Sequence, residues 1–324
     1  MTCLLARVRA RSTLRHATAL AIATLALLAP RTGHAFCRTT TTPIPPDYSP
    51  ANGCFSSGLP LFWKGACIGY SVNSAASATV PLAEATRTID AAFASWNAAT
   101  CSATGGPVGI TTSNLGPVMC SEVRYNAFGP NQNVVTFRDE TWPYNDPNST
   151  LGLTTVTFNA ETGEIYDTDM EINASGKNLT TTTIVAANGF DLLSVVTHEA
   201  GHFLGLAHAT SPTATMYASY RPGTSSLRTL TSDDVAGLCA IYPNSTERSV
   251  APSVTAGGVT PASACDPIPR HGFSTTCAAN PPPSDPGSGG CAVTPAAGAP
   301  GTGPTWPVLG LMAAALLLAR RRRS

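Results

Sequence analysis

Apolar and polar positions in the middle of the chain follow a short period in several separate stretches, which predicts strands. Aromatic and β-branched residues at 61–64 and 68–72 predict a first strand. Comparable runs predict further strands at 108–112, 134–137 and 154–158, and residues 167–173 alternate strictly between polar and apolar.

Three other stretches follow the longer period of a helix. After Pro81, apolar residues recur every three or four positions and predict a helix; they are Leu82, Ala85, Ile89, Ala92, Phe93 and Trp96. A second helix is predicted at 190–204. Thr231 begins a capping-box-like start of a third helix, which Pro243 ends.

The alternating strand 167–173 carries an unusual charge pattern. Asp167, Asp169 and Glu171 fall on one face, whereas Met170 and Ile172 fall on the other. A row of carboxylates is most often a solvated strand face. The alternative is a calcium site, because calcium takes several oxygen ligands.

The second helix carries the residues that point to chemistry. His198 and His202 are four positions apart, so their imidazoles project from the same helical face and can ligate one ion. Glu199 lies beside the first histidine, where it can hold and deprotonate a metal-bound water. Gly205 can adopt a positive φ and end the helix, which lets His208 return to the same ion. Three imidazoles and an open fourth position are typical of catalytic zinc.

This stretch is the pattern H-E-x-x-H-x-x-G-x-x-H, and with it the chain resembles the metzincin metalloproteases. Met216, in Thr215-Met216-Tyr217, follows at the interval of the methionine turn in the matrixin branch. The resemblance implies a zincin-type α+β fold. That fold has a twisted, mixed five-stranded sheet with an antiparallel edge strand, and three main helices. It also implies that strand 167–173 is the edge strand beside the cleft.

The resemblance further implies a zinc-dependent endopeptidase acting on protein or peptide substrates. Glu199 would take the proton from a zinc-bound water and pass it to the leaving amine, above an apolar floor made by Met216. Tyr217 and Tyr220 would line the primed-side pocket, although Ala218 stands where many matrixins have proline. The alternative from another class is a non-catalytic surface adhesin or scaffold that retains the metzincin fold. Substrate breadth is left open.

Two departures from the family pattern lead to further expectations. Beyond His198, His202 and His208, the mature chain has only His271, so we expect one catalytic zinc and no structural zinc. Residues 36–60 are too few for a full propeptide, and no Pro-Arg-Cys-Gly switch is present. Cys37 or Cys54 can reach the zinc in principle, but disulfide bonding is the preferred interpretation.

Charge is distributed unevenly, and this excludes one class of partner. The formal net charge is zero, yet nine of the nineteen basic residues lie in the first 35 and last five positions. The remaining ten face nineteen acidic residues, a difference of −9. Nucleic-acid binding requires a basic face, so we do not expect it.

Both ends carry targeting patterns. Residues 1–35 combine arginines, an apolar run and a small-residue cleavage site, and so predict a signal peptide and export. An N-terminal extension (36–60), a catalytic domain (61–243) and a Pro/Gly/Ala-rich linker (244–303) follow. Segment 304–324 has a short apolar run before Arg320–323, which resembles a MYXO-CTERM sorting signal from about Cys291. The alternative is a membrane anchor. We expect a secreted or surface-attached monomer that meets the membrane only through this segment before processing.

Ten cysteines in an exported chain predict disulfides. Cys3 leaves with the signal peptide and Cys291 belongs to the sorting signal, which leaves eight to pair. Local loops between Cys101 and Cys120 and between Cys265 and Cys277 are plausible, although spacing alone does not decide the connectivity.

Overall fold

The computed structural model describes residues 36–102, 105–244, 265–277 and 288–295. The predicted signal peptide at 1–35 and the segment at 304–324 lie outside these residues. Among the described residues, no helix combines the length and the apolar character that crossing a membrane requires.

The helices are α1 (Leu82–Asn97), α2 (Leu192–Phe203) and α3 (Ser232–Ile241), with a 3-10 helix at Pro50–Asn52. The strands are β1 (Cys37–Arg38), β2 (Cys67–Asn73), β3 (Thr100–Cys101), β4 (Gly106–Pro107), β5 (Thr111–Val118), β6 (Val134–Arg138), β7 (Gly152–Phe158), β8 (Ile165–Asn173), β9 (Leu179–Thr180), β10 (Phe190–Asp191), β11 (Leu206–Ala207), β12 (Ser219–Tyr220) and β13 (Ser288–Pro295).

Five strands form the mixed sheet that the sequence predicted, in the order β7-β8-β6-β2-β5. Strands β2, β5, β6 and β8 pair in parallel, and β7 pairs antiparallel with β8. Beyond β7 the sheet continues through β13, which is antiparallel to β7, and then through β12, which is parallel to β13. The five-stranded α+β architecture is confirmed, and β13 is an addition that the sequence pattern did not predict.

The antiparallel edge of the five-stranded sheet is β7 and not the alternating strand 167–173. That strand is β8, which lies inside the sheet with β7 on one side and β6 on the other. Its carboxylates are buried as well, with exposures of 1% for Asp167, 2% for Asp169 and 0% for Glu171. Both the edge-strand position and the solvated face were therefore wrong.

Two of these buried carboxylates are held by polar partners, which take the place of water. Glu171 pairs with the Arg138 guanidinium at 2.5 Å and accepts a hydrogen bond from Tyr144. Asp169 accepts from the backbone N–H groups of Arg124 and Val134. Within the described residues, the grouping suited to a metal is a histidine cluster elsewhere, so calcium stays a prediction.

Packing between α1 and α2 places the second helix above the sheet. Trp96 of α1 is 1% exposed and its indole N–H donates to the carbonyl of Thr197 in α2. At the C-terminal end of α2, Trp63 donates to the Phe203 carbonyl and Tyr242 donates to the Leu204 carbonyl. Side chains thus satisfy carbonyls that a helix end leaves unpaired, and they fix α2 in place.

Four disulfides use all eight of the cysteines that we expected to pair, but not through the local loops. The bonds join Cys37–Cys54, Cys67–Cys265, Cys101–Cys239 and Cys120–Cys277. The predicted Cys101–Cys120 and Cys265–Cys277 loops are wrong, because each of these cysteines lies against a partner that is distant in sequence. Two bonds hold residues 265–277 on the domain.

Candidate active site

Helix α2 carries the central residues, and its start is firmly defined. Asp191 caps the helix by accepting from the backbone N–H of Ser194, so the helix begins at Leu192 and not at 190. Arg228 forms a two-pronged ion pair with Asp191, at 2.6 and 2.7 Å. His198, Glu199 and His202 are all fully buried. The helix therefore presents its polar groups inside the molecule.

A turn after α2 brings the third histidine back, as the sequence predicted. Gly205 has φ = +91°, a conformation that residues with a Cβ rarely adopt. The next two residues form β11, which pairs antiparallel with β1. Thr39 also bonds this turn, since its backbone N–H donates to the Gly205 carbonyl. The N-terminal extension thus supports the segment that leads to His208.

The three imidazoles converge on one point. Ring centroids of His198, His202 and His208 are 4.8 to 5.2 Å apart, and one nitrogen from each ring lies within 4.8 Å of the others. Burial lowers the pKa of His198 and His202 well below the ordinary value, and the nearby His208 ring lowers both further. Neutral imidazoles are the form that ligates metals.

Hydrogen bonds determine which nitrogen of each helical histidine faces the shared point. Nδ1 of His198 lies 2.7 Å from the Thr215 carbonyl, and Nδ1 of His202 lies 2.8 Å from the Leu206 carbonyl. A carbonyl only accepts, so each Nδ1 carries the proton and each Nε2 presents a lone pair. The two Nε2 atoms are nevertheless 3.1 Å apart. Two lone pairs at this distance repel unless a cation lies between them.

This donor set fits zinc. Zinc takes imidazole nitrogens at about 2.0–2.1 Å in a tetrahedron, which puts two such nitrogens roughly 3.3 Å apart. The observed 3.1 Å between the Nε2 atoms of His198 and His202 is close to that value. His208 is well placed to supply a third ligand.

The carboxylate of Glu199 is oriented by strand β7. Thr154 donates its hydroxyl to Oε2 of Glu199 at 2.6 Å. Gly152 leaves room for the same side chain, because a Cβ there would lie 2.6 Å from Oε1. The sequence pattern indicated Glu199 but neither of these residues, since nothing in a predicted strand marks one threonine as a partner of a helical carboxylate.

Met216, the residue assigned to the methionine turn, packs against helix α2. It is 2% exposed, and a Cβ on Gly201 would come within 2.1 Å of its sulfur, so the turn packs directly against α2. Asp234 of α3 accepts from the backbone N–H groups of Thr215 and Met216 at 2.8 and 3.0 Å. The sequence predicted a capping-box-like start for this helix but not the contact of Asp234 with the methionine turn.

The predicted pocket residues follow Met216 and reach the sheet. Tyr217 is half-buried, whereas Tyr220 is buried, accepts from the Asp191 backbone N–H and donates to the Thr224 carbonyl. Tyr220 also belongs to β12, which faces β7 across β13. Strand β13 contacts α2 as well, so it crosses the region between the two walls.

Comparisons with known proteins agree with this geometry. A family model described as matrixin matches residues 62–243, more than half of the 324 residues. Relatives include matrilysin from Rattus norvegicus (31% identical over 103 residues; 32% of this chain and 35% of the relative). Neutrophil collagenase from Homo sapiens is 41% identical over 87 residues (27% and 17%), and metalloendoproteinase 1-MMP from Arabidopsis thaliana is 54% identical over 55 residues (17% and 15%).

The chain thus spans little more than a third of the length of these curated relatives at most. The family model, in contrast, runs from the buried Phe62 to the end of α3 and includes the strands, the histidine cluster and the methionine turn. On this match the chain belongs to the matrixin family.

Proposed function

We propose that the chain is a zinc-dependent endopeptidase that hydrolyses peptide bonds in protein or peptide substrates. The observation that carries this proposal is the geometry around α2. Two imidazole lone pairs, on His198 and His202, face each other at 3.1 Å, and the adjacent Glu199 carboxylate is held by the Thr154 hydroxyl. His208 completes the proposed ligand set.

In the proposed mechanism, some residues bind the metal and the substrate, and Glu199 transfers a proton. Zinc, when bound, would supply a Lewis acid that polarises the scissile carbonyl and activates water near neutral pH. Glu199 accepts a proton at its carboxylate and delivers it to the leaving amine. Thr154 keeps that carboxylate in one orientation. Met216 gives the histidines an apolar support, and Tyr217 and Tyr220 contribute to the wall on the β12 side.

An extended peptide is the substrate shape that this cleft favours. Strand β7 is the antiparallel edge of the five-stranded sheet and β12 lies across the cleft, and β13 pairs with both as an added extended peptide would. We further propose the domain order that the sequence predicted, with export through residues 1–35 and a processed or anchoring segment at 304–324. The disulfides are consistent with an exported, secreted or surface-attached protein.

The decisive experiment compares Glu199→Ala with His202→Ala. Removing the carboxylate leaves three imidazoles, so we expect zinc to stay bound while peptide hydrolysis falls by on the order of 10²–10⁴-fold, the usual contribution of a general acid–base group. Removing a ligand should cost metal affinity as well as rate. Zinc content and cleavage of mixed peptides, with and without a chelator, give both readouts.

Glu199→Ala protein that keeps its zinc and cleaves at the parent rate would contradict the mechanism. If the parent protein binds zinc but cleaves nothing even when β13 is removed from between the two walls, the non-catalytic adhesin or scaffold becomes the better interpretation. No contact in the described residues favours that alternative at present, because Glu199, the three histidines and Met216 are all in place.

A further inference from the structure

Strand β13 occupies the space between the two walls of the candidate site. Ser288 to Val293 pair antiparallel with β7, and Thr294 and Pro295 pair in parallel with β12. The strand also contacts α2, which carries Glu199. One short segment near the C-terminal end of the chain therefore meets all three elements that form the cleft.

The register places the middle of β13 next to the catalytic carboxylate. Cys291 lies opposite Thr154, whose hydroxyl bonds Glu199 at 2.6 Å. Val293 lies opposite Gly152, against which the Glu199 side chain packs. The backbone of residues 291–293 thus passes directly beside the group that the proposed mechanism requires.

Because β13 pairs with β7, the backbone groups at that sheet edge are not available to a substrate peptide. Without β13 the described sheet would end at β7, and its outward N–H and C=O groups would be open to an added strand. With β13 in place, β7 is paired along Gly152–Thr157, and β12 is paired through Ser219 and Tyr220. A second extended peptide cannot bind the same backbone groups at the same time.

We propose that Ser288–Pro295 is a built-in peptide occupant of this cleft, and that it keeps the chain latent until the segment leaves or is removed. The inference rests on the proposed peptidase function, since it concerns access to that site. The occupant is a segment of this chain with the sequence SGGCAVTP.

Processing of the tail would then open the site. The predicted sorting signal begins at about Cys291, so removal from that position takes away residues 291–295. These are the residues opposite Thr154, Leu153 and Gly152, together with the residues that pair with β12. The part that remains, Ser288 to Gly290, pairs only with the far end of β7.

The test uses the full, unprocessed chain and a proline pair. In Cys291→Pro, Ala292→Pro, one of the two adjacent positions must lose an N–H that faces β7, and both lose the extended freedom of φ. Cys291→Ser, Ala292→Ser is the matched control, which keeps every backbone group. We measure hydrogen exchange of the β7 amides, and hydrolysis of mixed peptides by the zinc-loaded protein.

We expect the proline pair to raise exchange by roughly tenfold or more at those amides of Gly152–Thr157 that face β13, because these amides lose their strand partner. The same variant should hydrolyse peptides at least tenfold faster than the parent, while the serine pair behaves as the parent does. Unchanged exchange in the proline variant would overturn the occupancy. Equal rates in the parent and the proline variant would overturn the latency. A serine pair that is as active as the proline pair would overturn the role of strand pairing.

A second variant covers the case in which the prolines disturb folding. A recognition site for a sequence-specific protease, placed within 278–287, lets the folded chain be cut between Cys277 and Ser288. The Cys120–Cys277 disulfide keeps the preceding segment attached. The same site placed within 296–303 is the control, since that cut leaves β13 tethered. Only the first cut should release the β7 amides and raise hydrolysis.

Failure of this inference and failure of the proposed function give different results. If the first cut frees the β7 amides and no form of the protein cleaves any peptide, the segment is an occupant but the site is not a peptidase. If the intact and cut proteins cleave equally well, the peptidase stands and the latency is wrong.

Discussion

One hydroxyl group positions the carboxylate on which the proposed chemistry depends. Thr154 is fully buried and donates to Oε2 of Glu199 at 2.6 Å. A hydrogen bond to a charged partner is worth about 1.5–3 kcal/mol. The orientation of Glu199 is therefore as much a property of β7 as of the helix that carries it.

Replacement of this hydroxyl should reduce the rate without removing the metal. We expect Thr154→Val, which has nearly the same shape, to lower peptide hydrolysis by roughly ten- to hundredfold. Thr154→Ser keeps the donor and should stay close to the parent. Zinc content, measured alongside, should be the same in all three proteins. A valine variant with the parent's rate would show that the hydroxyl does not position Glu199.

A pair of buried carboxyl groups on β8 makes stability depend on pH. Burial raises the pKa of Asp167 well above its ordinary value, and the charge of the neighbouring Asp169 raises it further. Burial also raises the pKa of Asp169, to about 7, against the lowering effect of backbone N–H groups from Val134 and Arg124. The neighbouring Asp169 carboxylate therefore favours the protonated form of Asp167. Asp167 is thus the member that keeps a proton.

The sign of the pH effect follows from proton release on unfolding. The folded chain holds a proton that the unfolded chain loses above pH about 4, so the free energy of unfolding falls as pH rises from about 4 through 7. Asp167→Asn is neutral at every pH and needs no proton. We expect it to be more stable than the parent by on the order of 1–3 kcal/mol at pH 8, with the difference shrinking toward pH 4.

Urea denaturation of both proteins at several pH values checks this expectation. Asp169→Asn is the contrasting variant, because it weakens the acceptor for the backbone N–H groups of Arg124 and Val134. It should be less stable than the parent at every pH. If the difference in unfolding free energy between the parent and Asp167→Asn does not change with pH, the folded chain does not hold the extra proton.

At the residue scale, the features that could be predicted from the sequence are those that depend on spacing along the chain. The i, i+4 histidines and the glycine with positive φ are consequences of helix geometry, so they can be read from the chain. The contacts of Thr154 with Glu199 and of Asp234 with the methionine turn depend on which strand or turn lies opposite a helix. That information arises only from tertiary packing.

At the scale of elements, Asp234 links the start of α3 to the methionine turn. Its carboxylate takes part in the capping box with Thr231 and also accepts from the backbone N–H groups of Thr215 and Met216. The Thr215 carbonyl in turn accepts from Nδ1 of His198. One carboxylate therefore supports both a helix end and a histidine.

We expect Asp234→Ala to lower the free energy of unfolding by at least about 2 kcal/mol, since it removes a cap and leaves buried N–H groups unpaired. Loss of support for His198 should also weaken zinc binding by roughly 10- to 100-fold, as for other groups that orient a metal ligand. Asp234→Asn retains one acceptor oxygen and should fall between alanine and parent. Denaturation and metal competition measure the two effects. An alanine variant with the parent's metal affinity would contradict the link to His198.

Helices were easier to predict than strands for a physical reason. The apolar periods of α1 and α3 extend over several turns, and their predicted bounds differ little from the observed ones. Strand signals are short, so the predicted strand 108–112 begins before the observed β5. The predicted stretch 61–64 is not a regular strand, although residues 61–63 are buried. Alternation along β8 was interpreted as one solvated and one buried face, but Arg138 and Tyr144 bind Glu171 on the carboxylate face.

At the scale of the whole molecule, metal content is the clearest expectation. Within the described residues, His198, His202 and His208 form the group suited to a metal, and His271 instead contacts the Tyr125 hydroxyl at 2.9 Å. We expect elemental analysis of the folded, disulfide-bonded protein to find one zinc per chain and no structural zinc. Two tightly bound zinc ions per chain would contradict this.

The connectivity of the disulfides could not be predicted from the sequence. An even set of eight cysteines followed from export and composition, yet the partners are up to 198 residues apart. Pairing is decided by which surfaces meet after folding, and sequence distance is a poor guide to that. The strand order beyond β7 could not be predicted for the same reason, because Ser288–Pro295 has neither a strand-like apolar period nor bulky β-branched residues along most of its length.

The disulfide between Cys120 and Cys277 has a consequence for how the latent state responds to its surroundings. It fixes the chain at a point from which only residues 278–287 lead to β13. A linker of ten residues keeps the contact of β13 with the cleft intramolecular, at an effective concentration of about millimolar. Closure of the cleft is then an equilibrium within one molecule, so dilution of the protein does not reverse it, and even weak pairing is enough. A single cut in the linker turns the same contact into a bimolecular one, which dissociates when the protein is diluted.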